Sequence, residues 1–199
     1  MTGAPVLEFW FDFASTYSYV AASRIETLCR DAAVALRWKP FMLGPIFEMQ
    51  GWRTSPFVVN PLRGGYMWRD LERLTAKYGL PWKKPSAFPR TAALAAKVAA
   101  AHDGEPWLGD FVRTAFAAAF GRDADLNDRR VVASLLAAAG TDSENALRIA
   151  TETPRKSELR NNTERAMSLG IFGAPNCLVG DELFWGEETL EDAVAWARR

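Results

Sequence analysis

One stretch near the start of the sequence is Val6-Leu7-Glu8-Phe9-Trp10-Phe11, followed directly by Asp12-Phe13-Ala14-Ser15. Its first six residues are mostly apolar and aromatic and predict a buried strand. Residues 16–32 then place apolar side chains at helical spacing, and residues 34–40 alternate as in a second strand that ends at a proline. Ser15 therefore stands at or beside a helix start, and the strand–helix–strand order favours parallel pairing of the two strands.

The middle of the chain changes character. Residues 43–61 contain five glycines and prolines and predict an ordered loop. From residue 66 onwards the spacing is helical, and many of the residues are alanine. The predicted helices cover residues 66–79, 91–102, 106–120, 129–139 and 142–151. The sequence thus predicts a helical centre.

The end of the chain returns to mixed structure. Pro154 suits the first turn of a further helix that reaches about residue 169. Two short strands follow, joined by the hairpin-type turn Gly180-Asp181, and residues 189–198 predict a final amphipathic helix. The two ends are therefore predicted to form one α/β layer around an all-helical insertion.

Composition argues against several classes of function. The 199 residues carry 24 basic and 24 acidic side chains, and a neutral chain does not indicate binding to nucleic acid or to an anionic membrane. Two cysteines and the single His102 predict neither a disulfide scaffold nor a metal site. Residues 1–14 lack the basic segment of a signal peptide, and no apolar run of about 18 residues exists, so we expect a cytoplasmic protein.

Two places in the sequence are suited to chemistry. A helix N-terminus presents unpaired N–H groups and partial positive charge, so Ser15 stands where an anion such as a ligand's thiolate is stabilised. The alternative is that Ser15 is only a helix cap. Ala174-Pro175 precedes a strand, and a cis bond there would expose backbone that pairs with a peptide-like ligand. The local sequence alone favours the trans bond, because few X–Pro bonds are cis.

Other polar and thiol groups have structural interpretations. One interpretation of Asp12, placed among aromatic residues, is that it tunes the site; the favoured one is that it is a structural acceptor for N–H groups of a loop. For His102, at a predicted helix end, a solvated or dipole-facing role is favoured over catalysis. Cys29 and Cys177 are predicted to be buried and inert.

Three blocks of sequence resemble one protein family, in that family's order along the chain. The first is Phe11-Asp12-Phe13-Ala14-Ser15-Thr16-Tyr17-Ser18-Tyr19, the second covers residues 66–73 and 79–81, and the third covers residues 170–175 and 184–186. The blocks are similar to 2-hydroxychromene-2-carboxylate isomerases and kappa-class glutathione transferases, which are insertion-bearing members of the thioredoxin superfamily. The resemblance implies an α/β, thioredoxin-like fold with an all-helical insertion. It divides the chain into a thioredoxin-like domain of residues 1–43 and 154–199 and an insertion of residues 44–153.

The resemblance also implies a site for glutathione. In this family the serine matching Ser15 lies beside the glutathione sulfur and helps to hold it as a thiolate. The residue matching Ala174, just before the cis-proline that matches Pro175, pairs through its backbone with the cysteinyl part. The positions that receive the γ-glutamyl end match Trp185, Gly186, Glu187 and Glu188.

A small aromatic carboxylate is the substrate that the resemblance implies. The positions that match the family's substrate contacts are Phe47, Asn60 and Phe88. We add Arg63 as a candidate partner for the carboxylate, because arginine binds carboxylates bidentately. Relatives are commonly homodimers, so a homodimer is possible.

The chain departs from the family pattern at several positions. Thr16 stands where the family usually has proline, and Phe47 where it often has lysine. Glu187 and Glu188 stand where Asn or Gln, then Asp, is usual. Glu187 thereby adds a charge that would repel the glutathione carboxylate.

The predicted function is a glutathione-dependent isomerase that interconverts 2-hydroxychromene-2-carboxylate and trans-o-hydroxybenzylidenepyruvate, or a related intermediate of aromatic-compound breakdown. One alternative is a kappa-like glutathione transferase or peroxidase that uses the same thiolate site on another electrophile. The other is a non-catalytic module that binds glutathione or a peptide through the Ala174 backbone. Turnover assays separate the three.

Overall fold

The computed structural model describes residues 4–199; residues 1–3, the start of the predicted segment 1–43, lie outside the described residues. A four-stranded sheet has the order β2-β1-β3-β4. The strands are β1 Val6–Phe11, β2 Ala35–Pro40, β3 Asn176–Val179 and β4 Glu182–Trp185. β1 pairs in parallel with β2, as predicted, and antiparallel with β3, which pairs antiparallel with β4 across the predicted hairpin turn.

Helices cover most of the remaining described chain. They are α1 Thr16–Asp31, α2 Leu43–Met49, α3 Pro56–Val59, α4 Pro61–Tyr78, α5 Ala93–Ala101, α6 Leu108–Arg122, α7 Arg129–Ala138, α8 Ser143–Glu152, α9 Glu158–Ser168 and α10 Leu190–Ala197. Two 3₁₀ turns, Pro154–Ser157 and Glu187–Thr189, precede α9 and α10. The helical centre and the mixed ends of the chain agree with the prediction.

The predicted loop over residues 43–61 is wrong, because α2 and α3 lie within it. Prolines begin helices here instead of preventing them, since the first helical residue needs no N–H donor. Pro56 and Pro61 each follow a capping residue, Ser55 and Asn60, whose side-chain oxygen accepts backbone N–H groups. Residues 50–55, with a turn at Gly51 where φ is 81°, separate the two short helices.

One aromatic core joins the sheet to the central helices. Phe11 and Phe13, at the end of β1, contact Phe116 of α6 with ring centroids 5.8 and 4.8 Å apart. Trp38 of β2 packs edge-on against Phe11 at 5.9 Å. The predicted thioredoxin-like part and the predicted insertion therefore share a hydrophobic core, and the domain boundaries themselves stay a prediction.

The turn after β1 is held by the buried Asp12. Its carboxylate accepts the N–H of Ala14 at 2.8 Å and the N–H of Leu43 at 2.7 Å, and its carbonyl accepts the N–H of Ser15 at 2.9 Å. Burial raises the pKa of this carboxyl, and the two backbone N–H groups oppose that rise. The interpretation of Asp12 as a structural acceptor is confirmed, and its partner Leu43 begins α2.

The single histidine is buried. His102 is 5% exposed and its Nδ1 lies 2.9 Å from the carbonyl oxygen of Val98, in the last turn of α5. A solvated role for His102 is therefore wrong, whereas its position at the end of the helix agrees with the dipole-facing one.

No helix within residues 4–199 is both long enough and apolar enough to cross a membrane.

Both cysteine thiols are expected to be inert in the folded protein. Cys29 and Cys177 are each 1% exposed, and burial raises the pKa of Cys29 to about 12 and the pKa of Cys177 as well. A thiol-specific chromogenic reagent should therefore titrate neither thiol in the native state and both in denaturant. A native thiol that reacts as fast as a free cysteine would contradict this expectation.

The same pKa shifts give a pH dependence of stability. A pKa that is higher in the folded state stabilises the fold below the ordinary thiol pKa, because the unfolded chain loses its proton first as the pH rises. The contribution of Cys29 to the free energy of unfolding should therefore fall as the pH rises from 9 toward about 12. Urea unfolding of Cys29→Ala beside the parent should show a smaller decline over this range.

Substituting Asp12 should loosen the turn after β1. In Asp12→Ala the half-buried N–H groups of Ala14 and Leu43 lose their acceptor, which costs about 1–3 kcal/mol in the free energy of unfolding. Asp12→Asn keeps one acceptor oxygen and should cost less. Urea unfolding measures both, with the exposed Asp31→Ala as a control that should change stability by less than about 0.5 kcal/mol. An unchanged stability of Asp12→Ala would contradict the assignment.

Candidate functional site

A cavity of about 1150 Å³ opens where α1 begins, between the end of the sheet and helices α2 to α4. It brings together residues that are far apart in the sequence, including most of the predicted site. The predicted residues that line it are Ser15, Ala174, Pro175, Trp185, Gly186, Glu187, Glu188, Phe47, Arg63 and Phe88.

Asn60 is the predicted substrate contact that does not line the cavity. Its side-chain oxygen instead accepts the N–H groups of Leu62 and Arg63, at 3.1 and 3.2 Å, and so caps α4. Asparagine is favoured at this position because its short side chain reaches the unpaired N–H groups of the first helical turn.

Ser15 caps α1 and also lines the cavity. Its Oγ accepts the N–H of Ser18 at 3.2 Å and donates to the carbonyl oxygen of Ala174 at 3.1 Å. It lies at the N-terminal end of the helix, where the dipole is positive, and it is 9% exposed. Ser15 is therefore both the cap of α1 and a residue of the cavity wall.

The bond between Ala174 and Pro175 is cis, so the expectation of a trans bond from the local sequence is wrong. The turn is held from both sides: the side chain of Asn176 donates to the carbonyl oxygen of Gly173 at 2.6 Å, and the N–H of Gly186 donates to that of Pro175 at 3.0 Å. Within residues 4–199, the Ala174 N–H donates no hydrogen bond. Ala174 is half-buried and lines the cavity, so this donor is available to a ligand there.

Aromatic and glycine residues shape the wall next to this turn. Trp185 is 50% exposed, and its ring lies 5.0 Å from that of Phe172. A side chain at Gly173 would place its Cβ 2.8 Å from Trp185 Nε1. Gly186 has φ of 104°, a backbone conformation that residues with a side chain rarely adopt, so this position favours glycine.

The carboxylate of Glu187 is held inside the protein by Arg24 of α1. The Arg24 guanidinium lies 3.0 Å from Glu187 Oε2, with 16% and 11% of the two side chains exposed. Burial raises the pKa of Glu187, and Arg24 opposes that rise. Sequence reasoning missed Arg24, since a single arginine within a helix carries no signal for a partner 163 residues away.

A second carboxylate in the wall is bonded to a tyrosine. The hydroxyl of Tyr17 donates to Asp70 of α4 at 3.1 Å, and both residues line the cavity. Burial and the neighbouring Asp70 raise the pKa of Tyr17, so the phenol stays protonated at neutral pH. Neither residue was predicted as part of the site, although Tyr17 lies within the motif that contains Ser15.

The opposite half of the cavity is aromatic with two exposed arginines. Phe47 stacks on Trp52 with ring centroids 6.4 Å apart, and Phe88 packs against Trp68 at 4.8 Å. Arg63 and the unpredicted Arg53 both line this half. Within the described chain, neither guanidinium has an ion-pair partner.

No group of three or more His, Cys, Asp and Glu side chains in the described part of the chain is arranged to hold a metal ion.

Comparison with known proteins places this fold among thioredoxin-like domains. The model of the DsbA-like thioredoxin domain matches residues 6–195. A curated relative, the 2-hydroxychromene-2-carboxylate isomerase of Sphingobium xenophagum, is 28% identical over 192 residues, which cover 93% of this chain and 94% of the relative. Glutathione S-transferase kappa 1 of Caenorhabditis elegans is 32% identical over 91 residues, which cover 44% of this chain and 38% of that protein.

Solved structures agree. A 2-hydroxychromene-2-carboxylate isomerase superposes with a TM-score of 0.85 at 21% identity, over 96% of this chain and 93% of that one. The cytosolic disulfide reductase DsbM of Pseudomonas aeruginosa, solved with GSH, superposes with a TM-score of 0.64 at 17% identity, over 96% and 95% of the chains.

These matches confirm both the thioredoxin-like fold with a helical insertion and the resemblance to the isomerases that the three sequence blocks predicted. The chain belongs to the family of the DsbA-like thioredoxin domain.

Proposed function

We propose that this protein is a glutathione-dependent isomerase that interconverts 2-hydroxychromene-2-carboxylate and trans-o-hydroxybenzylidenepyruvate, or a related intermediate of aromatic-compound breakdown. The observation that carries the proposal is the contact of Ser15 with Ala174, which puts a hydroxyl, a helix N-terminus and an unpaired backbone N–H at one wall of the cavity. The relatives named as isomerases support the reaction class. We also propose a cytoplasmic location and a homodimer.

Residues of the cavity wall suit the cysteinyl part and the γ-glutamyl end of glutathione. The Ala174 N–H donates no hydrogen bond in the protein, and extended peptide backbone pairs with donors of this kind. Ala174 and Pro175 both line the cavity. Trp185 and Gly186 form the wall that leads from there to Glu188, whose carboxylate suits the free ammonium of the γ-glutamyl end.

Ser15 is the proposed catalytic residue. Bound glutathione would supply a thiolate whose addition to the conjugated C=C bond permits rotation before the sulfur leaves again. The Ser15 hydroxyl, which donates to Ala174 here, turns toward the sulfur, while its oxygen keeps accepting the Ser18 N–H. The exchange replaces a neutral hydrogen bond by a charge-assisted one, which is roughly twice as strong. No cysteine lines the cavity in the described chain, so neither thiol is placed to form a disulfide with the ligand.

The aromatic half of the cavity is the proposed substrate site. Phe47 and Phe88 offer apolar surface to a planar ring, and Arg63 offers a guanidinium to the carboxylate. Asn60 enters the proposal only as the residue that caps α4 and so places Arg63.

Removing the Ser15 hydroxyl should reduce turnover. We expect Ser15→Ala to lower kcat/KM for o-hydroxybenzylidenepyruvate with glutathione roughly ten- to a hundredfold, the range of a hydrogen bond to a charged group. The ultraviolet absorbance of the bound thiolate should fall at the same pH, because the pKa of the glutathione thiol rises.

Ser23→Ala is the matched control for this experiment. Ser23 lies on the same helix, and its hydroxyl donates only to the carbonyl oxygen of Val20 in its own turn. Its activity and thiolate absorbance should equal those of the parent. Full activity of a folded Ser15→Ala, or no glutathione-dependent change in absorbance with the parent protein, would contradict the proposed function.

Removing the Arg63 guanidinium should weaken substrate binding. In Arg63→Gln the KM for the aromatic carboxylate should rise about fivefold, as the loss of about 1 kcal/mol from an exposed ion pair predicts. The KM for glutathione should not change. Arg69→Gln, on the same helix but outside the cavity, is the control and should leave both constants at parent values. Equal KM values for parent and Arg63→Gln would exclude this contact.

A kappa-like glutathione transferase is the second candidate function. The match to glutathione S-transferase kappa 1 supports it, and so does Phe47, because the phenyl ring offers no charge to a carboxylate substrate. Chlorodinitrobenzene, a neutral aromatic electrophile, separates the two functions. Faster turnover of this reagent than of the benzylidenepyruvate would favour the transferase, and binding of glutathione without either turnover would favour a non-catalytic module.

A further inference from the structure

Arg24 has a largely buried side chain whose guanidinium bonds to Glu187 in the wall of the proposed glutathione site. Its Nη1 donates to Glu187 Oε2 at 3.0 Å and to the Glu187 carbonyl oxygen at 3.3 Å. Its Nη2 pairs with Glu191 of α10, and its Cζ lies 4.5 Å from the centre of the Tyr78 ring of α4. One side chain thus fastens α1, α4 and the 3₁₀ turn Glu187–Thr189 together.

Glu187 lies at the boundary between this contact and the cavity. It lines the cavity next to Glu188, yet its carboxylate is bonded to Arg24 and only 11% exposed. The other charged groups that act on it are Glu188 of its own turn and Lys77 and Asp70 of α4. With Arg24 in place the charge of Glu187 is compensated; without Arg24, its carboxylate and that of Glu188 would both act on the ligand.

We propose that Arg24 is a positioning residue for glutathione: it holds the Glu187 carboxylate away from the ligand, so that Glu188 alone presents an uncompensated charge to the γ-glutamyl end. Glu187 then contributes backbone to the site and no charge. The ligand's ammonium is attracted by Glu188, and its α-carboxylate is spared the repulsion of a second carboxylate. This inference rests on the proposed binding of glutathione.

A charge-suppression experiment tests the role of Arg24. The variants are Arg24→Gln, Glu187→Gln and the double variant, with Arg24→Lys as the conservative replacement. Calorimetry gives the Kd for glutathione and for S-methylglutathione, which lacks a thiol and reports on the peptide contacts without Ser15. The KM for glutathione and kcat are measured beside it, and circular dichroism verifies the fold.

The proposal predicts an asymmetric pattern. Arg24→Gln should raise the Kd for both ligands about tenfold, because it frees the Glu187 charge. The KM for glutathione should rise with it, while kcat stays unchanged. Glu187→Gln should change the Kd less than about twofold, and the double variant should return to within about threefold of the parent, because the charge of Glu187 is then absent. Arg24→Lys should stay within about threefold, since it keeps the charge but has a single ammonium where the guanidinium reaches both Glu187 and Glu191.

Two results would overturn the proposal. If the double variant binds as weakly as Arg24→Gln, Arg24 acts through the ligand itself or through the fold and not through Glu187. If Arg24→Gln binds as tightly as the parent, the charge of Glu187 does not reach the ligand.

Where Arg24→Gln does not fold, the pair Arg24→Met with Glu187→Met replaces it, because apolar residues of similar size are tolerated in place of a buried ion pair. This pair should bind within about threefold of the parent, and a tenfold loss overturns the proposal.

The failure of the proposed function has a different signature. A parent protein that binds neither glutathione nor S-methylglutathione removes both the proposed function and this inference. A parent that binds both ligands while the Arg24 variants all bind equally removes only this inference.

Discussion

The position of β1 inside the sheet, between β2 and β3, brings the remote segments of the site together. Because β1 pairs in parallel with β2 and antiparallel with β3, its carboxyl end lies beside the start of β3. The turn that follows β1 and the turn that precedes β3 therefore meet, and Ser15 of the first donates to Ala174 of the second across 159 residues of sequence. Everything that the site contains is arranged around this contact.

The site compensates three carboxylates in different ways. Asp12 accepts two backbone N–H groups, Glu187 pairs with Arg24, and the half-buried Asp70 accepts the hydroxyl of Tyr17 and pairs with Arg73. A carboxylate removed from water is stable only with such partners, and Leu43, Arg24 and Tyr17 reach theirs from another element. The carboxylates that shape the cavity thereby also fasten α1, α2, α4 and the end of the chain to one another.

The central helices close the cavity as well as the core. Phe116 of α6 packs on Phe11 and Phe13 in the core, while α2 to α4 supply aromatic residues to the wall of the cavity. The generous number of aromatic residues is thus divided between two uses, a close-packed interior and a partly exposed cleft. Such a cleft is suited to a flat apolar ligand with few polar groups.

Apolar periodicity and capping residues are local signals, so the order of elements could be predicted from the residues alone. The prediction placed the strand before Ser15, the parallel strand–helix–strand unit and the helical centre correctly, but it wrongly assigned residues 43–61 to a loop, since prolines that begin helices resemble prolines that end them. The contents of the site, in contrast, follow from tertiary packing. The contact of Ser15 with Ala174, the grip of Arg24 on Glu187 and the removal of Asn60 from the cavity all depend on distances between remote segments, and such distances arise only when the sheet and helices pack.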